Sequence, residues 1–417
     1  MNDLAQRDAR VLWHPYTQHH TEVAPLAVAR AAGSELFLED GRVLLDAISS
    51  WWTSLHGHGH PRLVRAVAEQ AARLDHVLFA GATHAPAVEL AERLVAAAPT
   101  GLTRVFLSDN GSTAVEVACK IAYHAWVHRG EPERRTFVSL TGSYHGDTFG
   151  AMALGDPDPF FEVYAPLLFR VERVPPDAVA LTATIERLGS SLAGVVLEPL
   201  VQGAGGMRFY APEVLTAARA ATRAAGVPLI ADEVMTGFGR TGRLFACEHA
   251  DVAPDLLCLA KGLSGGIFPL AATLATEELF ESFLSEERSR FFPHGHSMTA
   301  SPLGCAIALE SLALVHENDV PRRLAAIGAR IHARIAATAA PIENLRHLGG
   351  IVAFDLAVGD AGYHATLGPR LRAAALEHGV LLRPLGNVVY AMPPACVDDG
   401  QADQIADAMI ALARLER

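Results

Sequence analysis

The sequence predicts an α/β protein: a mostly parallel central sheet with helices on both faces, plus a smaller α+β domain. Three observations predict it. From about residue 61, short apolar segments alternate with segments of helical period, the pattern of strands joined by crossover helices. Those apolar segments ("TFVSL", "AGVVLEPL", "VPLIADEV", "DLLCLA") are hydrophobic throughout rather than alternating, as strands covered on both faces are. After a long helical stretch near 301–316 the character changes, and residues 320–417 mix helices with "GGIVAFDL" and "GVLLRPLGNVVYAM".

Taken in order, "ELFLEDGRVLLDA" (35–47) has two alternating runs around Asp40-Gly41 and predicts a hairpin. "PRLVRAVAEQAARL" and "PAVELAERLVAAA" predict helices. "RVFLS" (104–108) predicts a strand running into the helix "STAVEVACKIAYHAWVH". The four apolar strands come next, with a helix near 212–225 among them, and a last helix is expected near 401–415. The expected division is an N-terminal segment, 1–55, joining the small domain; a large domain, 56–315; and a C-terminal small domain, 316–417.

Composition excludes several function classes. Half of the 417 residues are hydrophobic and 19% are charged, below the usual share of about 25%. The formal net charge is −12 and there is no basic stripe, which argues against nucleic acid. No run reaches the ~18 apolar residues of a membrane span. "MNDLAQRDARVLWHPYTQHH" lacks the apolar core of a signal peptide. Five scattered cysteines without a C-x-x-C predict free thiols in a cytoplasmic protein.

The chemistry centres on Lys261, in "PDLLCLAKGLSGG" (254–266). A lysine just past a strand end can simply reach water. Buried, its pKa falls, and the free amine can attack a carbonyl and hold it as a Schiff base. Pyridoxal 5'-phosphate is the commonest carbonyl so held, and it makes three further demands. Its ring nitrogen needs a buried carboxylate: Asp232 ends "PLIAD", 29 residues before Lys261, although Asp also caps ordinary segments. Its phosphate needs a helix N-terminus: "SDNGSTAVEVACK" supplies Gly111 for close approach and the Ser112 and Thr113 hydroxyls. Its ring needs a flat cover: "GSYHG" offers Tyr144, with His145 beside it. On this reading the glycines after Lys261 leave room for the cofactor.

Two motifs suggest other chemistry. "GFGRTG" (237–242) fits a dinucleotide fingerprint, but the next residues, "RLFACEHADVAPD", read as a proline-containing loop instead of a helix. "HGHGH" (56–60) has three alternate histidines, yet no carboxylate or cysteine ligand nearby in sequence, so a polar turn before Pro61 is expected and no metal.

"LIADEVMTGFGRTG", "DLLCLAKGLSGG", "NGSTAVEVACKIA" and "SYHGDTFGAM" resemble the class III (ω-amino acid) aminotransferases of the fold-type I pyridoxal-phosphate group, and the resemblance runs through nearly the whole chain. It implies a homodimer with active sites at the interface. In "HGHSMTASPLGCA" it implies that Gly295 contacts substrate and that His296 and Ser297 serve the cofactor, Ser297 reaching the phosphate held by the partner subunit. Relatives usually carry Thr at the Ser297 position and often Pro at that of His296.

Within the group, three features favour the biotin-pathway members. Trp51 and Trp52 stand side by side in "SSWWTSLHGHGHP", where they can build an apolar wall, or one can be core and one surface. Tyr16 adds an aromatic in "LWHPYTQ", and Arg383 in "VLLRPLGNVVYAMPP" can bind a carboxylate bidentately or form an ordinary ion pair. The resemblance implies that the tryptophans and Tyr144 line the substrate, 8-amino-7-oxononanoate, and that Arg383 takes its carboxylate. It implies that Tyr16 helps recognise the acid and stacks on the donor, S-adenosyl-L-methionine, whose sulfonium suits an aromatic face. Lysine as donor, another class III activity on γ-aminobutyrate or a diamine, and a cofactor-binding protein without turnover remain as alternatives.

Overall fold

The structure is a computed structural model, and it describes residues 3–22, 24–157, 161–358 and 366–415. At its centre is a seven-stranded sheet in the order Leu102–Ser108, Ala271–Thr276, Leu256–Leu259, Leu229–Asp232, Leu192–Leu197, Thr136–Leu140, Val171–Val174. All pairings are parallel except the two made by Ala271–Thr276. Ile230 aligns with Val196 on one side and Leu256 on the other, and all four residues of Leu229–Asp232 are buried, so this is a two-sided core strand.

The helices start and stop on local chemistry. Gly111–His128 begins at a capping box: Asn110 Oδ1 accepts from the Thr113 N–H, and the Thr113 hydroxyl accepts from the Asn110 N–H. Pro212–Ala225 opens with proline and ends at Gly226 with φ +65°, where glycine alone is unstrained.

The predicted hairpin forms between Glu35–Leu38 and Val43–Asp46. It is flanked by Val28–Ala32 and, in parallel, by Val380–Leu381, with Leu45 opposite Val380. A three-stranded sheet, Ile342–Leu348, Ile351–Leu356, Val388–Ala391, packs with the helices Val320–Ala336 and Asp399–Arg414. One apolar core lies about the large sheet. A second joins Leu45, Ile48 and Trp52 to Phe354, Tyr390 and Met409, so the N-terminal segment and the last third of the chain share one interior.

The functional consequence is positional. Strands ending at Ser108, Leu140, Leu197, Asp232 and Leu259 run in the same direction and deposit the residues after them at one edge. Asp232 aligns with Cys258, which puts Lys261 just past the edge where Asp232 ends its strand.

Candidate active site

A cavity of about 400 Å³ lies at this edge, and Gly111, Ser112, Tyr144, Asp232 and Lys261 all line it. Lys261 leaves its strand with φ +40°, and its Nζ stands 5.1 Å from the Trp52 ring centroid. The side chain is half-buried. Burial pushes its ammonium pKa down, more than the nearby Asp232 and Glu198 charges push it up; Arg240 also lowers it.

Of the glycines after it, Gly266 lines the cavity, and the pair Gly265-Gly266 is also required by close packing. A Cβ at Gly265 would meet Leu63 at 2.8 Å and His56 at 3.0 Å; at Gly266 it would meet the Ser54 backbone at 2.9 Å. They let this turn press against the segment 54–63. Gly111 is needed for a similar reason, since a Cβ there would lie 2.6 Å from Val234.

Asp232 is buried and accepts from His145 Nδ1 at 2.7 Å and from the Val234 N–H at 3.1 Å. The sequence places His145 only beside Tyr144; the structure makes it the second partner of the carboxylate. Burial disfavours the imidazolium, but the Asp232 bond and charge, with the Glu198 charge, outweigh it and raise the pKa of His145. Glu198 is a site residue that sequence reasoning missed. It lines the cavity, buried, accepting from the Tyr144 N–H and the Gly203 N–H, both at 2.9 Å. Burial pushes its carboxyl up to about 7, helped by the Asp232 charge and opposed by His145 and the two amides.

These residues fit pyridoxal 5'-phosphate. The capping box uses the Thr113 N–H and leaves the Gly111 and Ser112 N–H groups at the start of an 18-residue helix, a cradle for phosphate. The Ser112 hydroxyl oxygen accepts from the Asp147 N–H at 3.0 Å, which leaves its proton to donate. A Cβ at Gly146 would fall 1.9 Å from that oxygen, so the approach requires glycine. The buried Asp232 carboxylate can hold a protonated ring nitrogen, and a depressed lysine suits carbonyl attachment.

A second cavity, about 910 Å³, is lined by Tyr16, Asp147, Tyr164, Arg372 and Arg383 among others. The Tyr16 and Tyr144 hydroxyls both donate to Asp147 Oδ1, at 2.6 and 2.9 Å, so Tyr144 and Asp147 link the two cavities. Asp147 is a second residue that sequence reasoning missed. Trp51 meets Tyr16 edge-on at 5.9 Å, and the Arg383 guanidinium lies 4.9 Å from the Trp51 ring centroid.

The tryptophans do not form one wall. Trp52 is 4% exposed, donates from Nε1 to the Tyr390 hydroxyl at 3.1 Å, and supports Lys261. Trp51 is 41% exposed, on the Arg383 side. Positive φ at Ser49, Ser50 and Trp52 turns the backbone so that adjacent indoles diverge.

Gly295, His296 and Ser297 line neither cavity of their own chain, and Gly295 and Ser297 are exposed. The two motifs that suggested other chemistry resolve into structure. No helix starts in "GFGRTG"; its Arg240 is buried and donates to Pro393 O at 2.8 Å and Trp52 O at 3.3 Å. In "HGHGH", His56 Nε2 lies 3.0 Å from Ser311 Oγ and His58 Nε2 lies 2.9 Å from Asp46 Oδ2.

Comparison with known proteins gives a consistent picture. The chain is 46% identical over 408 residues to the adenosylmethionine-8-amino-7-oxononanoate aminotransferase of Synechococcus elongatus, covering 94% of this chain and 96% of the relative. It is 41% identical to the enzyme of the same name from Mycobacterium leprae, covering 98% and 96%. The crystal structure of the enzyme of that name from Methanocaldococcus jannaschii superposes with a TM-score of 0.95 at 34% identity, covering 99% of both chains. An ω-transaminase from Pseudomonas jessenii in complex with PMP gives 0.91 at 28% identity, covering 99% and 97%. The family model "aminotransferase class-III" matches residues 16–412, and the chain belongs to that family.

Proposed function

We propose that the chain uses pyridoxal 5'-phosphate to transfer an amino group from S-adenosyl-L-methionine to 8-amino-7-oxononanoate, forming 7,8-diaminononanoate in biotin synthesis. The observation that carries the substrate assignment is the cluster beyond the Lys261 cavity: Tyr16, Trp51 and Asp147 leading to Arg383, which makes no ion pair among the described residues. An aromatic passage ending in an uncompensated guanidinium suits a long aliphatic acid. The Asp147 carboxylate with two phenols around it suits a sulfonium cation.

The cofactor supplies an electron sink and carries the amino group between two half-reactions. The Gly111 and Ser112 amides with the Ser112 hydroxyl would hold its phosphate, Asp232 its ring nitrogen, and Tyr144 would cover its ring. Lys261 Nζ would hold its aldehyde carbon, and the free amine would serve as the general base that takes the proton from the donor Cα. Burial lowers the pKa of that amine, which favours its unprotonated form. Because the amino group stays with the enzyme between the half-reactions, kinetics are ping-pong, and Arg383 binds the carboxylate of each substrate in turn.

Gly295, His296 and Ser297, which line neither cavity of their own chain, serve the site of a second copy in a homodimer. The functional division is 1–55 with 316–417 against 56–315, supported by the shared interior of the two ends. The enzyme works in the cytoplasm; no helix among the described residues is long and apolar enough to cross a membrane.

A donor–acceptor screen tests the reading. Turnover is expected with S-adenosyl-L-methionine and 8-amino-7-oxononanoate. Activity only with lysine as donor would change the donor, and activity only with γ-aminobutyrate or diamines would overturn the assignment.

A further inference from the structure

Arg372 has no role in the proposed function. It sits on the helix Leu367–Glu377, which leads through Val380–Leu381 to Arg383. Both arginines are half-buried and line the second cavity. Three other arginines in this part of the chain have carboxylate partners: Arg330 with Asp399 and Asp403, Arg334 with Asp407, and the mostly buried Arg346 with Asp355. Among the described residues, Arg372 and Arg383 make neither hydrogen bond nor ion pair, and Arg372 has no aromatic face either. Burial and the Arg383 charge both lower the Arg372 pKa; Glu22, which lines the same cavity, opposes them without pairing. Two half-buried like charges on one wall are costly together, and an anion between them offsets both the repulsion and the lost hydration.

We propose that Arg372 and Arg383 form one carboxylate site with two guanidinium arms, in which Arg372 sets the preference for a long-chain acid. The site takes the terminal carboxylate of an aliphatic substrate whose chain runs back past Trp51. The proposed function supplies the identity of that acid; the two-armed site itself rests on the cavity.

The test uses the holoenzyme and unreactive probes: nonanoate, and nonanamide as its uncharged counterpart, titrated calorimetrically against wild type, Arg372→Gln and Arg372→Lys. Loss of one charged hydrogen-bonding arm should weaken nonanoate about tenfold, equivalent to ~1.4 kcal/mol, and leave nonanamide unchanged. Arg372→Lys should recover part of the loss, with Tm unchanged in both variants. In steady state, Arg372→Gln should raise KM for the acid about tenfold at constant kcat. Equal nonanoate affinity in Arg372→Gln and wild type would overturn the proposal, as would equal losses for acid and amide, or no saturable nonanoate binding by wild type. Arg372-dependent nonanoate binding in an enzyme that does not turn over 8-amino-7-oxononanoate would leave the site standing and sink the proposed substrate.

Discussion

Asp232 accepts a 2.7 Å hydrogen bond from His145 Nδ1, and both side chains are almost wholly closed to solvent. The imidazole fixes the carboxylate and, when protonated, balances its charge. Asp232→Asn keeps the shape but removes the charge that holds a protonated ring nitrogen. It should lower kcat by about 10³-fold, within the range for loss of a charged group in an acid–base site. His145→Asn should cost about tenfold, because the carboxylate remains. Steady-state turnover with the visible spectrum of the bound cofactor checks both; full activity of Asp232→Asn would remove the residue from the site.

The two adjacent tryptophans should separate by experiment. Trp52 is packed in the core against Tyr390, so Trp52→Ala should destabilise the fold by ~3–5 kcal/mol in denaturant titration. Trp51→Ala should change stability by less than about 0.5 kcal/mol and raise KM for the keto acid several-fold. The reverse order would contradict the placement of the indoles.

Asp147 Oδ1 collects two phenol hydroxyls and presents a carboxylate between the cavities. Asp147→Asn should raise KM for the sulfonium donor about tenfold and that for the keto acid by less than twofold. Equal effects on both substrates would assign Asp147 to holding the tyrosines alone.

His56 gives the pH dependence of stability. It is buried against Ser311, and burial, with the His60, Arg240 and Arg62 charges, lowers its pKa to about 3. Its folded pKa lies below the unfolded value of 6.5, so its contribution is intact above pH 6.5 and is lost as pH falls toward 3. The full loss is roughly 5 kcal/mol. His56→Gln should therefore flatten the fall in stability between pH 6.5 and 4, read by urea titration at each pH; an unchanged slope would contradict it.

Much of the fold and the site is legible in the sequence, for physical reasons that also mark where legibility ends. Strands such as Leu229–Asp232 are apolar throughout because both faces are covered, and that pattern shows without coordinates. Ala271–Thr276 escapes sequence reading because an alanine-rich run carries no strand signal, and Val171–Val174 because it is a short edge strand with two charges. Lys261 and Asp232 stand out as charges at the ends of apolar strands. Glu198 carries the same signal in "VVLEP" and could have been found by it. Asp147 could not, since its place depends on Tyr16 being brought across from a segment 131 residues away. The divergence of Trp51 and Trp52 depends on positive φ at residues other than glycine, which nothing in "SSWW" announces.

The attachment of the cofactor to Lys261 underlies every other assignment, and one measurement addresses it. Holoenzyme reduced with borohydride, digested and sequenced by mass spectrometry should carry a single pyridoxyl group, on the peptide containing "CLAKGLSGG", at Lys261. A pyridoxyl group on another residue, or none after reduction, would contradict the account.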